Sequence, residues 1–427
     1  MNPTHPDIKS SSAAANFWQW LTVLIFFLLP LQTQYIFRRG LLNGGPWEWG
    51  TLRLYVVQIL IVAAALTAAL ISKKFRAQFN RPALLLFCAL LFISILWAPE
   101  KQVAFAAAFS AGVAVALFLL ARGLTINPVY ARTAFIVGVI LESLLAIYQT
   151  TVQKVVASTL LGIASHAPSV LGDAVVETAA GRWLRAYGGL PHPNIFGAFA
   201  AAALILLLAK RASFPKFFMP PAAAILTAGL FLSFSRSAWL AAALALVILM
   251  GRVVMRRVVA AGFWPMFTMI ILTVLTLGII FRSALISRFN FSGTTATETI
   301  SSSERTLYKH DARKLIREQP FFGVGIGNMT YSAWLKDSSR YSFLYQPVHN
   351  IFYLITAEIG LVGLIIWLIA IWREIKIVRQ GSDRLTLIIL ILPLAIFDHY
   401  LWTAWVGLIL FWGLLALWRE DRPQYSP

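Results

Sequence analysis

The run from Asn194 to Gly251 reads NIFGAFAAAALILLLAKRASFPKFFMPPAAAILTAGLFLSFSRSAWLAAALALVILMG. It holds three apolar stretches, near 194–209, 217–234 and 237–251. Lys210, Arg211 and Lys216 at one break, and Arg236 between Ser235 and Ser237 at the other, are the only charged residues in the run. A helix needs ~20 mostly apolar residues to cross a bilayer. Inside the bilayer no water satisfies the backbone, so each segment must close its hydrogen bonds within a helix. The stretch therefore predicts three helices passing back and forth through a membrane.

The same pattern extends in both directions. Further spans are expected near 17–34, 54–72, 82–97, 102–121, 133–152, 258–281, 350–372, 385–397 and 401–418. Apolar residues make up 59% of the 427 and charged residues only 12%, against roughly 25% charged in soluble domains. An ordinary soluble enzyme, a disordered chain and a fibrous protein are all excluded. The expected fold class is an all-α polytopic membrane protein with about 12 transmembrane helices. Residues 1–281 would hold helices 1–9, with an outer loop at about 153–193. Residues 282–349 would form a long, helix-containing outer loop, and 350–427 helices 10–12 and a tail.

The net charge of +19 suggests orientation before it suggests nucleic acid, because Lys and Arg in short loops stay on the cytoplasmic side. With both termini inside, about half of the 36 Lys and Arg fall in short inner loops, among them Arg211, Arg256, Arg257, Arg379 and Arg422. The remainder lie outside. Residues 1–16 are polar, and the run Phe17–Leu31 has no small-residue cleavage pattern after it, so it reads as a first span. The single cysteine, Cys88, allows neither an internal disulfide nor a cysteine metal site.

The candidate chemistry sits at the outer ends of spans. His349 opens the tenth span beside Asn350, and an imidazole at such a boundary can act as a base near neutral pH. Arg236 stands next to Ser235, a cap for the following helix, and an Arg at a helix N-terminus makes an anion site. Arg185 leads into Gly188-Gly189-Leu190-Pro191-His192-Pro193-Asn194, an irregular segment in which His192 and Asn194 can contact a ligand or cap a helix. In the long loop a helix is expected to Arg317, with Tyr308, Ala312, Leu315 and Ile316 on one side. Arg305, Lys309, Arg313 and Arg317 form a basic stripe on it, ended by Pro320 and Gly323, Gly325 and Gly327. Arg305 and Lys309 are expected to turn inward, and Arg313 and Lys314 to face solvent. Glu142, Glu358 and Asp398 are acids within or at the edge of spans, where charge is costly unless paired or used. Glu358 lies too far along its helix from His349 to orient it.

Absences narrow the mechanism. No two acids stand at i, i+2, so an acid-x-acid metal motif is missing, and neither HExxH nor GxxxxGK[ST] occurs. No cofactor and no metal is expected. There is no internal repeat of the kind a transporter or flippase is built on.

Together these residues resemble the bacterial O-antigen ligase and polymerase superfamily. The resemblance rests on Gly188-Gly189 with Pro193-Asn194, the Ser235-Arg236-Ser237-Ala238 turn, the Arg305 helix followed by Pro320-Phe321-Phe322-Gly323-Val324-Gly325, and His349-Asn350 with Ala357-Glu358-x-Gly360-Leu361. It implies a GT-C-like fold, with a helical periplasmic loop between helices 9 and 10. It implies glycan transfer at the periplasmic face of the inner membrane, from undecaprenyl pyrophosphate to lipid A-core oligosaccharide. His349 falls at the family's essential histidine. Arg185, Arg236 and Arg305 fall at its outer arginines, with Lys309, His192, Asn194 and Asn350 as further substrate contacts. Tyr308, Glu358 and Asp398 would support the site. A polymerase or a protein O-oligosaccharyltransferase of the same superfamily are the alternatives within this class. A transporter or flippase is the alternative outside it.

Overall fold

A computed structural model describes residues 7–124, 127–179, 181–210, 213–255, 262–289, 296–378 and 381–419. Arg211, Arg256, Arg257, Arg379 and Arg422, named above as orientation charges, lie outside the described residues.

The chain is mostly helical. After α1 (Asp7–Phe27) comes a small β excursion. There β1 (Gln34–Arg38) pairs antiparallel with β4 (Leu52–Tyr55), around the pair β2 (Leu41–Leu42) and β3 (Gly45–Pro46). Asn43 and Gly44, with φ of 51° and 76°, make the two-residue turn that such hairpins favour. The helices α2 (Val56–Ile71), α3 (Lys73–Arg76), α4 (Pro82–Ile93), α5 (Lys101–Gly123) and α6 (Pro128–Val152) follow. A second hairpin, β5 (Val175–Thr178) with β6 (Gly181–Leu184), precedes α7 (Pro193–Ala209), α8 (Met219–Leu232), α9 (Arg236–Val254) and α10 (Phe263–Ile280). Then come α11 (Arg282–Phe289), α12 (Ala296–Glu318), α13 (Met329–Lys336), α14 (Ile351–Lys376), α15 (Gly381–Phe397), α16 (Tyr400–Thr403) and α17 (Trp405–Leu417). Proline in the first turn of α4, α6, α7 and α8 is placed where its missing N–H has no helical partner to lose.

Five of these helices, α5, α6, α9, α10 and α14, are long and apolar enough to cross a bilayer. The bent pair of α2 with the segment from Lys73 to Phe79 would make a sixth. The end of α1 and α4, α7, α8 and α17 are apolar but shorter. The expectation of a helical membrane protein is met, while length alone supports fewer full spans than the dozen expected. Two departures explain part of the difference. The stretch near 401–418 is split by an extended Ala404 into α16 and α17. The stretch near 17–34 stops being helical at Phe27 and becomes strand at Gln34. Three two-stranded sheets also qualify the all-α reading.

The bundle is organised around α7. Its residues are buried on all sides, as a helix apolar all round should be, and it packs against α6, α8, α9, α15 and α17. At its C-terminal end, Lys210 and Arg252 both pair with the buried Asp383, and Trp418 donates to the Asp383 carbonyl. The Asp383 carboxylate thus offsets part of the cost of burying the two cations. The other end of α7 carries the candidate site.

A second device shapes that end. Gly360, at φ 72°, breaks α14, and the freed amides of Leu361 and Val362 donate to the carbonyls of Pro320 and Phe321 (2.8 and 3.2 Å). Val324 and Gly325 in turn donate to the carbonyls of Ala357 and Glu358 (2.9 and 2.7 Å). The loop after α12 thus lies in the break. Gly323 has φ 63°, and a side chain there would meet the Glu358 backbone at 2.5 Å. The Glu358 carboxylate accepts from Trp402 Nε1 (2.7 Å) and from the amides of Gly327 and Met329. This buried acid therefore holds the loop, and none of these three partners is His349, in keeping with the helical spacing.

Candidate active site

Three long helices begin at one place. His192 caps α7, its Nδ1 accepting from the Asn194 amide (3.1 Å). Ser235 caps α9, accepting from Ala238 (3.4 Å). Asn350 caps α14, its Oδ1 accepting from Tyr353 (3.1 Å) and its Nδ2 donating to the Ile396 carbonyl (3.1 Å). Helix N-termini carry partial positive charge and unpaired amides, so their meeting favours an anion.

A hydrogen-bonded chain joins them. Arg185, 7% exposed, donates through Nε to the Ser233 carbonyl (2.8 Å) and through a terminal nitrogen to Asn194 Oδ1 (2.6 Å). Asn194 donates through Nδ2 to Asp398 Oδ2 (2.8 Å). The other Asp398 oxygen accepts from the His399 amide (2.8 Å) and lies 3.7 Å from Nδ1 of His349. The His349 ring stacks on His399 with centroids 4.8 Å apart and planes 9° from parallel, and the edge of Tyr308 closes on it at 6.1 Å. Trp49, from the first hairpin region, packs edge-on against His399 at 5.0 Å. His349 Nδ1 is buried and has no hydrogen-bond partner among the described residues, yet 27% of the side chain is exposed. A reactant can reach the ring.

The segment carrying Arg185 is fixed from behind. Glu142, on α6, accepts from the Gly189 amide, and Gln149 donates to the Gly188 carbonyl (2.7 Å). Gly188 has φ 60°, and a side chain on Gly189 would meet the Glu142 carboxylate at 2.9 Å. The tight glycine pair and the intramembrane acid thus explain each other.

Electrostatics sharpen the arrangement. Burial lowers the His349 pKa, the Asp398 charge opposes that fall, and the Arg305 charge adds to it. His349 is therefore held below the ordinary histidine value and is neutral near pH 7. His399, more deeply buried, is pushed down to about 3. Burial works against the Asp398 carboxylate, but the imidazoles of His349, His399 and His192 and the His399 amide outweigh it, so it stays below the usual range. Burial and then the charge of Arg288 weigh against the Arg185 guanidinium, with Arg236 adding further repulsion. An arginine stays charged in a protein, so Arg185 is repelled by two neighbouring cations, and the charge of Asp398 partly offsets them.

Arg288, on α11, was not singled out from the sequence. It donates to the Phe234 carbonyl (2.9 Å), and its own carbonyl accepts from Arg236 (3.4 Å). Its only sequence signal was its place just past an apolar run, beside Arg282. His399, the sequence neighbour of Asp398, is the stacking partner of His349. Arg305 and Lys309 do not turn inward. Both are exposed, and Lys309 sits over the Tyr353 ring at 5.6 Å. The inward face of α12 is the one expected, with Tyr308, Ala312 and Leu315 buried.

His349, Asp398 and His399 also offer ligand atoms within 4.8 Å of one another. Two imidazoles and a carboxylate are a possible donor set for a divalent ion. An ion lies in the plane of each imidazole that binds it, however, and near-parallel stacked rings share no such point within bonding reach. The geometry fits a hydrogen-bonded base better than a metal centre.

Apolar helices enclosing a cluster of arginines, helix N-termini and a reachable neutral imidazole define a helical integral membrane protein equipped to hold an anion beside a base. Residues 221–368 match the family described as O-antigen ligase, and that match supports membership of the O-antigen ligase and polymerase superfamily. The matched segment contains Arg236, Arg288, Arg305 and His349, whereas Arg185, Asn194 and Asp398 lie outside it. None of the curated proteins compared with the chain matches it.

Proposed function

We propose that this protein transfers O-antigen polysaccharide from undecaprenyl pyrophosphate to the lipid A-core oligosaccharide, at the periplasmic face of the bacterial inner membrane, with both termini in the cytoplasm. The observation that carries the reading is the reachable imidazole of His349, kept neutral by burial and backed by Asp398, beside a cluster of arginines and helix N-termini.

Each part has a task. Pyrophosphate leaves as an anion and needs charge stabilisation more than a proton. Arg185, Arg236 and Arg288 supply that preorganised charge, and Arg305 and Lys309 extend it along the outer helix. Asp398 receives Nδ1–H of His349 as the loose 3.7 Å contact tightens in the filled site. That tautomer leaves Nε2 to take the proton of the attacking sugar hydroxyl. The hydroxyl oxygen bonds to the anomeric carbon as the bond to the pyrophosphate oxygen breaks on the opposite side, so the configuration inverts. No metal and no cofactor takes part. Holding two lipid-anchored reactants in one membrane cavity contributes the proximity effect.

A deletion strain tests this against the polymerase reading. Lipopolysaccharide without O-antigen, with long lipid-linked chains accumulating, is the result expected. A core bearing a single repeat unit would instead assign polymerisation, and a lipopolysaccharide profile unchanged by deletion would end the transfer reading for this glycolipid.

A further inference from the structure

The helix α12 lies along the first half of α14. Tyr308 meets His349 near one end, and Pro320 and Phe321 bond to Leu361 and Val362 at the other. The two helices therefore run in the same direction, from the His349 level towards the apolar body of α14.

The outward face of α12 carries Arg305, Lys309, Arg313, Lys314 and Arg317, all exposed, along an open groove of about 950 Å³. Little neutralises this stripe. Asp311 is taken by Arg340 at 2.6 Å and Glu318 by Lys336 at 2.8 Å. Arg313 is held over the Tyr353 ring at 5.8 Å. Just past the stripe, Phe321 and Phe322 are 63% and 56% exposed, and Phe322 packs edge-on to Trp97 at 6.2 Å. Basic side chains followed by exposed aromatics in the direction of the bilayer match the order of a lipid, phosphate first and hydrocarbon beneath.

We propose that Arg313, Lys314 and Arg317 bind phosphate groups on the lipid-anchored acceptor, a phosphorylated glycolipid, with its acyl part against Phe321 and Phe322. This rests on the transfer reading and adds the acceptor's binding site to it. From Tyr308, beside His349, to Arg317 is nine residues, a rise of about 14 Å. The acceptor's phosphates and its reactive sugar are thereby set a fixed distance apart. Seated phosphates raise the acceptor's occupancy of the site and leave the chemical step at His349 unchanged.

The test uses the full-length protein in nanodiscs of neutral phosphatidylcholine. Lipid A-core glycolipid serves as acceptor, either phosphorylated or enzymatically dephosphorylated. The triple variant R313E/K314E/R317E should raise KM for the phosphorylated acceptor about tenfold or more, since charge-assisted contacts to phosphate are the strong class of hydrogen bond. Its kcat should stay within about twofold. With the dephosphorylated acceptor, parent and variant should coincide. R313K/R317K should keep most of the parent's affinity, which separates lost charge from lost folding. Equal loss with both acceptors, or no loss with either, overturns the proposal. So does an effect that appears for both acceptors only after anionic phosphatidylglycerol is added, because the stripe would then be a membrane anchor. If the parent transfers glycan to neither acceptor, the transfer reading has failed on its own. Native mass spectrometry of retained glycolipid then decides the stripe's role. Preference for the phosphorylated form, lost in the triple variant, supports it, and equal retention overturns it.

Discussion

Asp398 lies 3.7 Å from Nδ1 of His349, on the side of the ring that has no other hydrogen-bond partner among the described residues. Asp398 is itself tied through Asn194 to the buried Arg185. The base and the anion-binding arginines thus share one polar chain, so each should be sensitive to the other. His349→Ala removes the proton acceptor and should cost about 10²–10⁴ in kcat, the usual scale for general-base catalysis. A purified transfer assay checks this, and turnover at the parental rate would end the role of His349 as base.

The pH profile should carry the signature of these neighbours. A base works unprotonated, and His349 lies below its ordinary value because of burial. The acid limb of kcat/KM should therefore fall below pH ~6.5. Asp398 pulls that value up and Arg305 pushes it down. Asp398→Asn should move the acid limb to lower pH, and Arg305→Gln should move it to higher pH. Movement of both in the same direction would separate the profile from His349.

Arg288 repels Arg185 and donates to the Phe234 carbonyl beside the α9 cap. Arg288→Ala should raise KM for the lipid pyrophosphate donor about tenfold, the value of one charge-assisted phosphate contact, and leave KM for the acceptor unchanged. Arg185→Ala should go further. It strips the Ser233 carbonyl and Asn194 of a buried donor, a loss of roughly 1–3 kcal/mol per orphaned group. Thermal unfolding in detergent and donor kinetics together would register both effects.

Much of this site is readable from the sequence, for a physical reason. Polar residues that interrupt apolar runs have few places to go, so Arg185, Asn194, Arg236, His349 and Asp398 stand out wherever helices start. Arg288 does not, because it follows an apolar run among other exposed-looking charges, and only the packing of α11 beside Phe234 gives it a role. The breaks in helices are equally hidden. The stretch Tyr400–Leu417 is apolar on both sides of Ala404, and nothing in composition marks an extended residue there. The first hairpin carried a turn signal in Asn43-Gly44, but the strands beside it are too short to display an alternating pattern.

Gly360 and Gly251 give a paired test of the break in α14. At Gly360, φ is 72° and a side chain would meet the Phe321 carbonyl oxygen at 2.0 Å. Gly360→Ala should displace the loop from the break and cost several kcal/mol, roughly 1–3 from backbone strain alone. Gly251, in the last turns of α9, has nothing within 4 Å of the corresponding position. Gly251→Ala should be neutral or stabilise by up to about 1 kcal/mol, the ordinary gain of alanine over glycine in a helix. Melting temperatures of the two variants in one detergent decide it, and equal effects would remove the special status of Gly360.

The stacked histidines make a prediction about metals. A divalent ion shared by His349 and His399 would need both rings to point in-plane at one place, and their planes lie 9° from parallel with centroids 4.8 Å apart. His399 Nδ1 is also only 2.8 Å from the Thr403 hydroxyl, which occupies one of its two nitrogens. Transfer should therefore persist after dialysis against EDTA, and added zinc should inhibit or do nothing. His399→Phe keeps the stacked ring and removes any ligand. It should preserve most activity if stacking is the function of His399, with a shift in the pH profile as its main effect. Activity lost in EDTA and restored by a divalent ion, together with an inactive His399→Phe, would instead make His349, Asp398 and His399 a metal centre.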